Sequence, residues 1–261
     1  MSASSIISKI DEVLSRSKSV ILCTIIEKEG SGPRELGSKM LVTQDGEIQG
    51  TIGGGGMERI IVKEALESLK EGKPRILHFA MGVPPRENMI PIDSKCGGEV
   101  KIFLDPIKPD PRLIIMGSGL IAQAVTRYAS ECDFKVIIID DAKTATKENF
   151  PNAETINAPY PKSLEFIDIY PTDFVAILHG ETQFELSALR HVLKTKPSYI
   201  GLLGSVNKAR SHKNQLLLEC YDQETVKNIH APIGIEIKAE TPEEIAISIL
   251  AELIKVRSEK R

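Results

Sequence analysis

Gly117 and Gly119, with Ser118 between them and Ala122 close behind, follow an apolar run at 113–116 and open a helical pattern at 121–131. A glycine turn between strand and helix lets backbone N–H groups approach a phosphate, and the helix N-terminus adds its own free donors. Asp140 ends the next apolar run, 21 residues beyond Gly119. A carboxylate at that point accepts hydrogen bonds from a ribose diol and disfavours a 2′-phosphate. Gly117, Ser118, Gly119 and Asp140 together predict a nucleotide-like ligand. The alternative is a glycine turn that packs a helix and binds nothing.

Two further groups should meet the same crevice, because ligands of open α/β sheets lie outside the carboxyl ends of the strands. Gly204 and Ser205 close an apolar run at 198–203 and lead into a helix carrying Lys208, Arg210 and Lys213. Lys213 reads equally well as part of a solvated face. His179 and Gly180 follow the run at 174–178, where an imidazole can bond a ligand, shuttle a proton or simply cap the strand. His78, His191, His212 and His230 show no ligand spacing and read as packing or surface residues.

The first part of the chain offers a different chemistry. Arg34 is the fixed cation of a glycine-rich loop, GSGPR at 30–34 with Gly37. Gly53, Gly54, Gly55 and Gly56 then present the N-terminus of a helix expected at 57–70. A guanidinium beside free helix donors suits a phosphate or a phosphorylated heterocycle. Four successive glycines cost about 0.5 to 1 kcal/mol each relative to alanine in regular structure, so a close ligand or a close backbone is expected there. Cys96 borders Gly97, Gly98 and Lys95; a lysine neighbour favours the thiolate, so this cysteine is the candidate functional thiol, with a packing role as the alternative.

The elements that must position these groups fall into two sets. A helix at 4–16, a strand at 20–26, a hairpin of 39–43 and 47–52 about Asp45 and Gly46, and strands at 75–79 and 99–104 give a small mixed sheet. Three prolines within 105–112 remove backbone donors and mark a boundary. Beyond it, strands and helices alternate, which predicts parallel βαβ units with helices on both faces. The final helix opens on TPEE at 241–244, an N-cap threonine with a proline and acids in the first turn. The expected fold is therefore α/β: a small N-terminal mixed α/β domain at 1–105, a proline-rich linker at 106–111, and a Rossmann-like parallel-sheet domain at 112–261.

Composition narrows the classes of function. Across 261 residues, 33 Lys and Arg face 36 Asp and Glu, a net charge of -3 without the basic field that nucleic acid needs. Aromatic residues make up 5% and tryptophan is absent, so base-stacking platforms are not indicated. Apolar runs are strand-sized, well short of the roughly 20 residues of a membrane span. The opening stretch mixes acids and bases on a helical pattern, unlike a signal peptide, so a cytoplasmic protein is expected. Four dispersed cysteines without a C-x-x-C pair suggest neither zinc nor a disulfide framework, and no metal ligands are assigned.

Assembled in order, these segments resemble the xanthine dehydrogenase accessory factor family, XdhC/CoxI, over nearly the whole chain. The marks are GSGPR at 30–34 with Gly37, GTIGGG at 50–55 with Glu58, CGG at 96–98, Gly117 and Gly119 with Asp140 and Asp141, Phe150 with Pro151, YIGLLGS at 199–205, and APIGI at 231–235 leading to TPEEIA at 241–246. The resemblance implies a maturation factor that binds molybdenum cofactor (molybdopterin) and helps it to be sulfurated and inserted into a molybdenum hydroxylase. It also implies a homodimer, a xanthine dehydrogenase-like client and a cysteine desulfurase as a further partner. Members usually carry Cys directly after the third glycine, where this chain has Gly56, and many carry His where it has Leu120. Holding the cofactor would then rest on Cys96 or on phosphate contacts alone. The competing expectation is an NAD-dependent oxidoreductase built on Gly117, Gly119 and Asp140. None of Tyr128, Tyr160, Tyr170, Tyr199 and Tyr221 has a lysine four residues later, so the acid/base pair of short-chain dehydrogenases is missing.

Overall fold

The computed structural model describes residues 3–259. It divides into two units, the first ending at Pro109 and the second beginning at Asp110. Residues 1, 2, 260 and 261, which bound the expected domains, lie outside the described residues.

The first unit runs α1 (Ala3–Ser15), β1 (Val20–Gly30), β2 (Lys39–Thr43), β3 (Ile48–Gly50), α2 (Gly55–Glu71), β4 (Arg75–Met81), β5 (Ile90–Ile92) and β6 (Gly98–Ile107). Its strands lie in the order β3-β2-β1-β6-β4-β5, with β4 and β5 parallel and the other neighbours antiparallel. Alternation along β1 explains both faces. Ile21, Cys23 and Ile25 pack under Met57, Ile61 and Ala65 of α2, whereas Val20 packs with Leu41 and with Val13 of α1.

Several boundaries differ from the expectations. α2 starts two residues early, so Gly55 and Gly56 are helical and Gly54 is the N-cap. β5 is new: three residues including a proline carry too little pattern to announce a strand. β6 continues through Pro106 to Ile107 instead of stopping at 104. Pro106 is tolerated because it faces Ile21 of β1 on one side only; the ladder to β4 ends earlier, at the Arg75–Leu104 pair.

The second unit runs β7 (Arg112–Met116), α3 (Leu120–Glu131), β8 (Lys135–Asp140), β9 (Ala153–Asn157), a 3₁₀ turn (Lys162–Phe166), β10 (Phe174–Ile177), α4 (Thr182–Val192), β11 (Tyr199–Leu202), α5 (Val206–Leu218), α6 (Gln223–Lys227), β12 (Ile229–His230) and α7 (Pro242–Glu259). All neighbouring strands are parallel, in the order β9-β8-β7-β10-β11-β12. That is the Rossmann order 3-2-1-4-5-6, which places the topological switch point between β7 and β10. Leu113 and Ile115 face α3 and α7; Ile114 and Met116 face α4, α5 and α6. The capping box at the start of α7 forms as expected, with Glu244 N–H on Thr241 Oγ1 at 3.2 Å and Thr241 N–H on Glu244 Oε2 at 3.1 Å. No helix among the described residues is long and apolar enough to cross a membrane.

Candidate functional site

The switch point of the second unit collects the residues that follow β7, β8 and β10. Gly117 must be glycine for a packing reason. Its φ is +123°, and a Cβ there would stand 2.7 Å from Leu178 O. Gly119 is different: as N-cap of α3 it has φ -72°, and a Cβ would meet nothing within 4 Å. Open space in front of a helix N-terminus is what a close anion needs. Leu120 is 69% exposed beside it.

Asp140 ends β8 as expected but is turned inward, only 4% exposed. Its Oδ2 accepts from Ser118 Oγ at 2.6 Å, and Ser118 Oγ also meets Thr144 Oγ1 at 2.5 Å. Its Oδ1 accepts from the N–H of Asp141 at 2.8 Å and of Ala142 at 3.3 Å. The carboxylate therefore organises the β8 turn first, leaving little of itself for a ribose.

His179, 13% exposed at the side chain, brings Nε2 to 3.6 Å from Asp140 Oδ1. Its ring lies 4.3 Å from that of Phe184 and 6.3 Å from that of Tyr160, and burial raises the Tyr160 hydroxyl's pKa. Ligand atoms of Asp140, Asp141 and His179 all fall within 4.8 Å of one another. His179 Nδ1 accepts from Glu181 N–H at 3.4 Å, so a neutral ring keeps its hydrogen on Nε2, the atom a metal would require. The trio suits a carboxylate–imidazole pair better than a metal centre.

Gly204, with φ +156°, leads to Ser205, which caps α5 by accepting from Lys208 N–H at 3.3 Å. Lys208 does not sit on a solvated face: its Nζ bonds Gly180 O and Glu185 Oε1, each at 2.8 Å. Glu185 carries no motif in the sequence, and His212, expected as a packing or surface residue, is buried. Both occupy the buried stripe of their helix, Glu185 with Ala188, Leu189 and Val192, and His212 with Ala209 and Leu216. An ionisable residue on an apolar stripe was the available signal.

In the first unit, three of the singled-out segments converge. Ser31 N–H donates to Gly97 O at 3.2 Å, and Gly30 pairs with Gly98. A Cβ on Gly98 would stand 2.5 Å from Glu29 O and from Ser31 O, so this glycine serves the crossing of two chain segments. Pro33 reaches 3.6 Å from where a Gly53 Cβ would be, so the loop carrying Arg34 abuts the glycine run. Gly54, Gly55 and Gly56 are exposed, and a Cβ on any of them would meet nothing within 4 Å. Arg34 is exposed and shares a hollow with Gly37, Lys39, Gly50 and Thr51. Thr51 Oγ1 donates to Glu58 Oε1 at 2.5 Å and fixes the entry to α2.

Cys96 is partly buried, and its N–H donates to Ser94 Oγ at 3.1 Å. Cys132 is also partly buried and Cys220 exposed, whereas burial pushes the Cys23 thiol up to about 12.

This geometry has counterparts among known proteins. The family model for the XdhC Rossmann domain matches residues 113–253, and that for the XdhC and CoxI family matches residues 13–80. The uncharacterized protein YqeB of Escherichia coli is 35% identical over 91% of this chain, which spans 43% of that relative. The molybdenum cofactor insertion chaperone PaoD of Escherichia coli is 26% identical over 94% of this chain and 86% of its own length. A probable xanthine dehydrogenase subunit of Bacillus subtilis is 30% identical over 60% of this chain, with 46% of that relative covered. The chain thus spans under half the length of two of these three relatives. A crystal structure described as a xanthine dehydrogenase from Bacillus halodurans shares the fold with a TM-score of 0.53 at 23% identity, covering 98% of this chain and 96% of that one. With more than half of its length matched by the Rossmann-domain model, the chain belongs to the XdhC/CoxI family.

Proposed function

We propose that this protein is a maturation factor that holds molybdenum cofactor and assists its sulfuration or insertion into a molybdenum hydroxylase such as a xanthine dehydrogenase. The observation that carries the reading is the similarity to PaoD, a named insertion chaperone, across both units at once. The first unit supports it locally. An exposed, side-chain-free helix N-terminus at Gly54, Gly55 and Gly56, abutted by the Arg34 loop, supplies backbone donors and a guanidinium for the phosphate of a pterin cargo.

In this reading the second unit takes a nucleotide or the nucleotide part of a dinucleotide form of the cofactor, at Gly117, Ser118, Gly119, Gly204 and Ser205. Asp140 shapes the turn, and His179 stands at the rim. Cys96 is the candidate thiol for cofactor sulfur, with a cysteine desulfurase as its source. The protein works in the cytoplasm as a homodimer that meets its client hydroxylase.

Purification from cells that make the cofactor, followed by molybdenum and pterin analysis, tests the reading. Retained cofactor that falls in Arg34→Ala supports it. No cofactor retained, together with normal hydroxylase activity in cells lacking the protein, overturns it. The competing reading, an NAD-dependent oxidoreductase, has the Rossmann strand order in its favour. It requires tight NAD binding without any effect on a hydroxylase.

A further inference from the structure

Glu185 has no part in the reading above, yet it is an acid at 0% exposure. Its Oε1 accepts from Gly180 N–H at 3.1 Å and from Lys208 Nζ at 2.8 Å, and Lys208 Nζ also donates to Gly180 O at 2.8 Å. The turn directly after His179 is thus gripped by both its N–H and its carbonyl. On the other side Glu185 Oε2 lies 3.1 Å from His212 Nε2, and neither atom has another partner among the described residues.

The tautomer of His212 follows from its second nitrogen. Nδ1 lies 2.8 Å from Lys208 O, and a carbonyl oxygen only accepts, so Nδ1 carries a hydrogen. A neutral imidazole would then turn a bare Nε2 lone pair toward a bare carboxylate oxygen, with the residues 2% and 0% exposed. Two facing acceptors buried from solvent repel each other, and a proton held between them removes the repulsion.

We infer that Glu185 and His212 share one buried proton, and that with Lys208 they are positioning residues that hold the Gly180 turn so that His179 faces Asp140 across the switch point. With that proton counted, a carboxylate, an ammonium and an imidazole leave one net positive charge behind the Gly180 turn. That charge offsets part of the negative field of Asp140 and Asp141, whose carboxylates stand with His179 at the switch point. The shared proton belongs to the free protein and is independent of which ligand the crevice takes.

The full chain, labelled with ¹⁵N at histidine, tests both parts. Imidazole spectra near neutral pH are expected to show His212 protonated at Nδ1 with its Nε2 also bearing the shared proton, and a neutral His212 with a bare Nε2, or one protonated only at Nε2, would overturn the shared proton. For positioning, carbethoxylation of His179 by diethyl pyrocarbonate is followed by peptide mass. Glu185→Gln puts an amide N–H where the proton was and should leave His179 reactivity within about twofold, whereas Glu185→Leu should raise it about tenfold, the scale of a lost hydrogen bond. A folded Glu185→Leu with wild-type His179 reactivity overturns the positioning role. If Glu185→Leu does not fold, Lys208→Met decides. That variant removes only the partly exposed ammonium; it should raise His179 reactivity severalfold, and an unchanged rate overturns the role.

Discussion

The Ser118 hydroxyl meets Asp140 Oδ2 at 2.6 Å, so the middle residue of the glycine turn and the last residue of the next strand form one buried unit. This relationship changes what the spaced acid of a Rossmann motif does here. A carboxylate displayed to solvent would be a ligand group first; this one is an internal acceptor for one hydroxyl and two backbone N–H groups. Asp140→Ala should lower stability by about 2 to 3 kcal/mol, because it orphans buried donors, and Ser118→Ala by about 1 kcal/mol. Thermal melting measures both. An Asp140→Ala protein that melts like wild type but loses nucleotide binding would return the acid to the ribose role.

The two glycines of the same turn should separate packing from binding. Gly117→Ala forces φ +123° on alanine and drives a Cβ to 2.7 Å from Leu178 O, so a loss of at least about 2 kcal/mol is expected. Gly119→Ala meets no neighbour within 4 Å and should cost under about 1 kcal/mol. If a phosphate docks against this backbone, Gly119→Ala still weakens nucleotide binding about tenfold, since a methyl group takes the anion's place. Calorimetric titration beside thermal melting reads the split. Equal affinity in a folded Gly119→Ala would move the phosphate elsewhere.

Much of this was legible in the chain because each signal was local. β7, the glycine turn, α3 and β8 are announced by apolar runs bounded by Gly117 and Asp140, and the α7 capping box by TPEE at 241–244. What stayed hidden depends on tertiary contact. β9 is covered on one side, with Ala153 alone fully buried, so its pattern is faint, and β12 has two residues. Asp140 stands at the expected position with an unexpected orientation, since no spacing rule says that Ser118 will claim the carboxylate. Glu185 and His212 lie on different helices, and only the packing of α4 beside α5 brings them to 3.1 Å.

Cys23 supplies a pH dependence with a definite sign. Burial in the first unit pushes its thiol from the ordinary 9.0 to about 12. The folded state therefore keeps the proton where the unfolded chain loses it. Stability from this residue is fully present below pH 9 and is lost as pH rises from about 9 to about 12, by up to about 1.4 kcal/mol per pH unit. Tyr160 and Tyr199, also raised by burial, act in the same direction at high pH, so the contribution is isolated by comparison with Cys23→Ala. Denaturant unfolding across that range should show a shallower fall for the variant. Parallel curves would mean that the thiol ionises without opening the core.

Gly56 tests the sulfur chemistry directly. The XdhC/CoxI resemblance implies Cys at this position, and here Gly56 is the second residue of α2, exposed, where an added Cβ would meet nothing within 4 Å. Gly56→Cys should therefore fold, with a gain of only about 0.3 kcal/mol, because cysteine is only slightly better than glycine as a helix former. The functional outcome separates two ways of handling the cargo. If the protein only holds the cofactor through phosphate contacts, cells carrying Gly56→Cys will show the same hydroxylase activity and the same sulfurated fraction as wild type. If sulfur transfer at this helix end is limited by the missing thiol, both quantities will rise in Gly56→Cys. They will also stay high when Cys96→Ser is added, since the new thiol then replaces the old one. A fall in both, with the protein folded and cofactor still retained, would show that the bare backbone of Gly56 is itself the contact that the cargo requires.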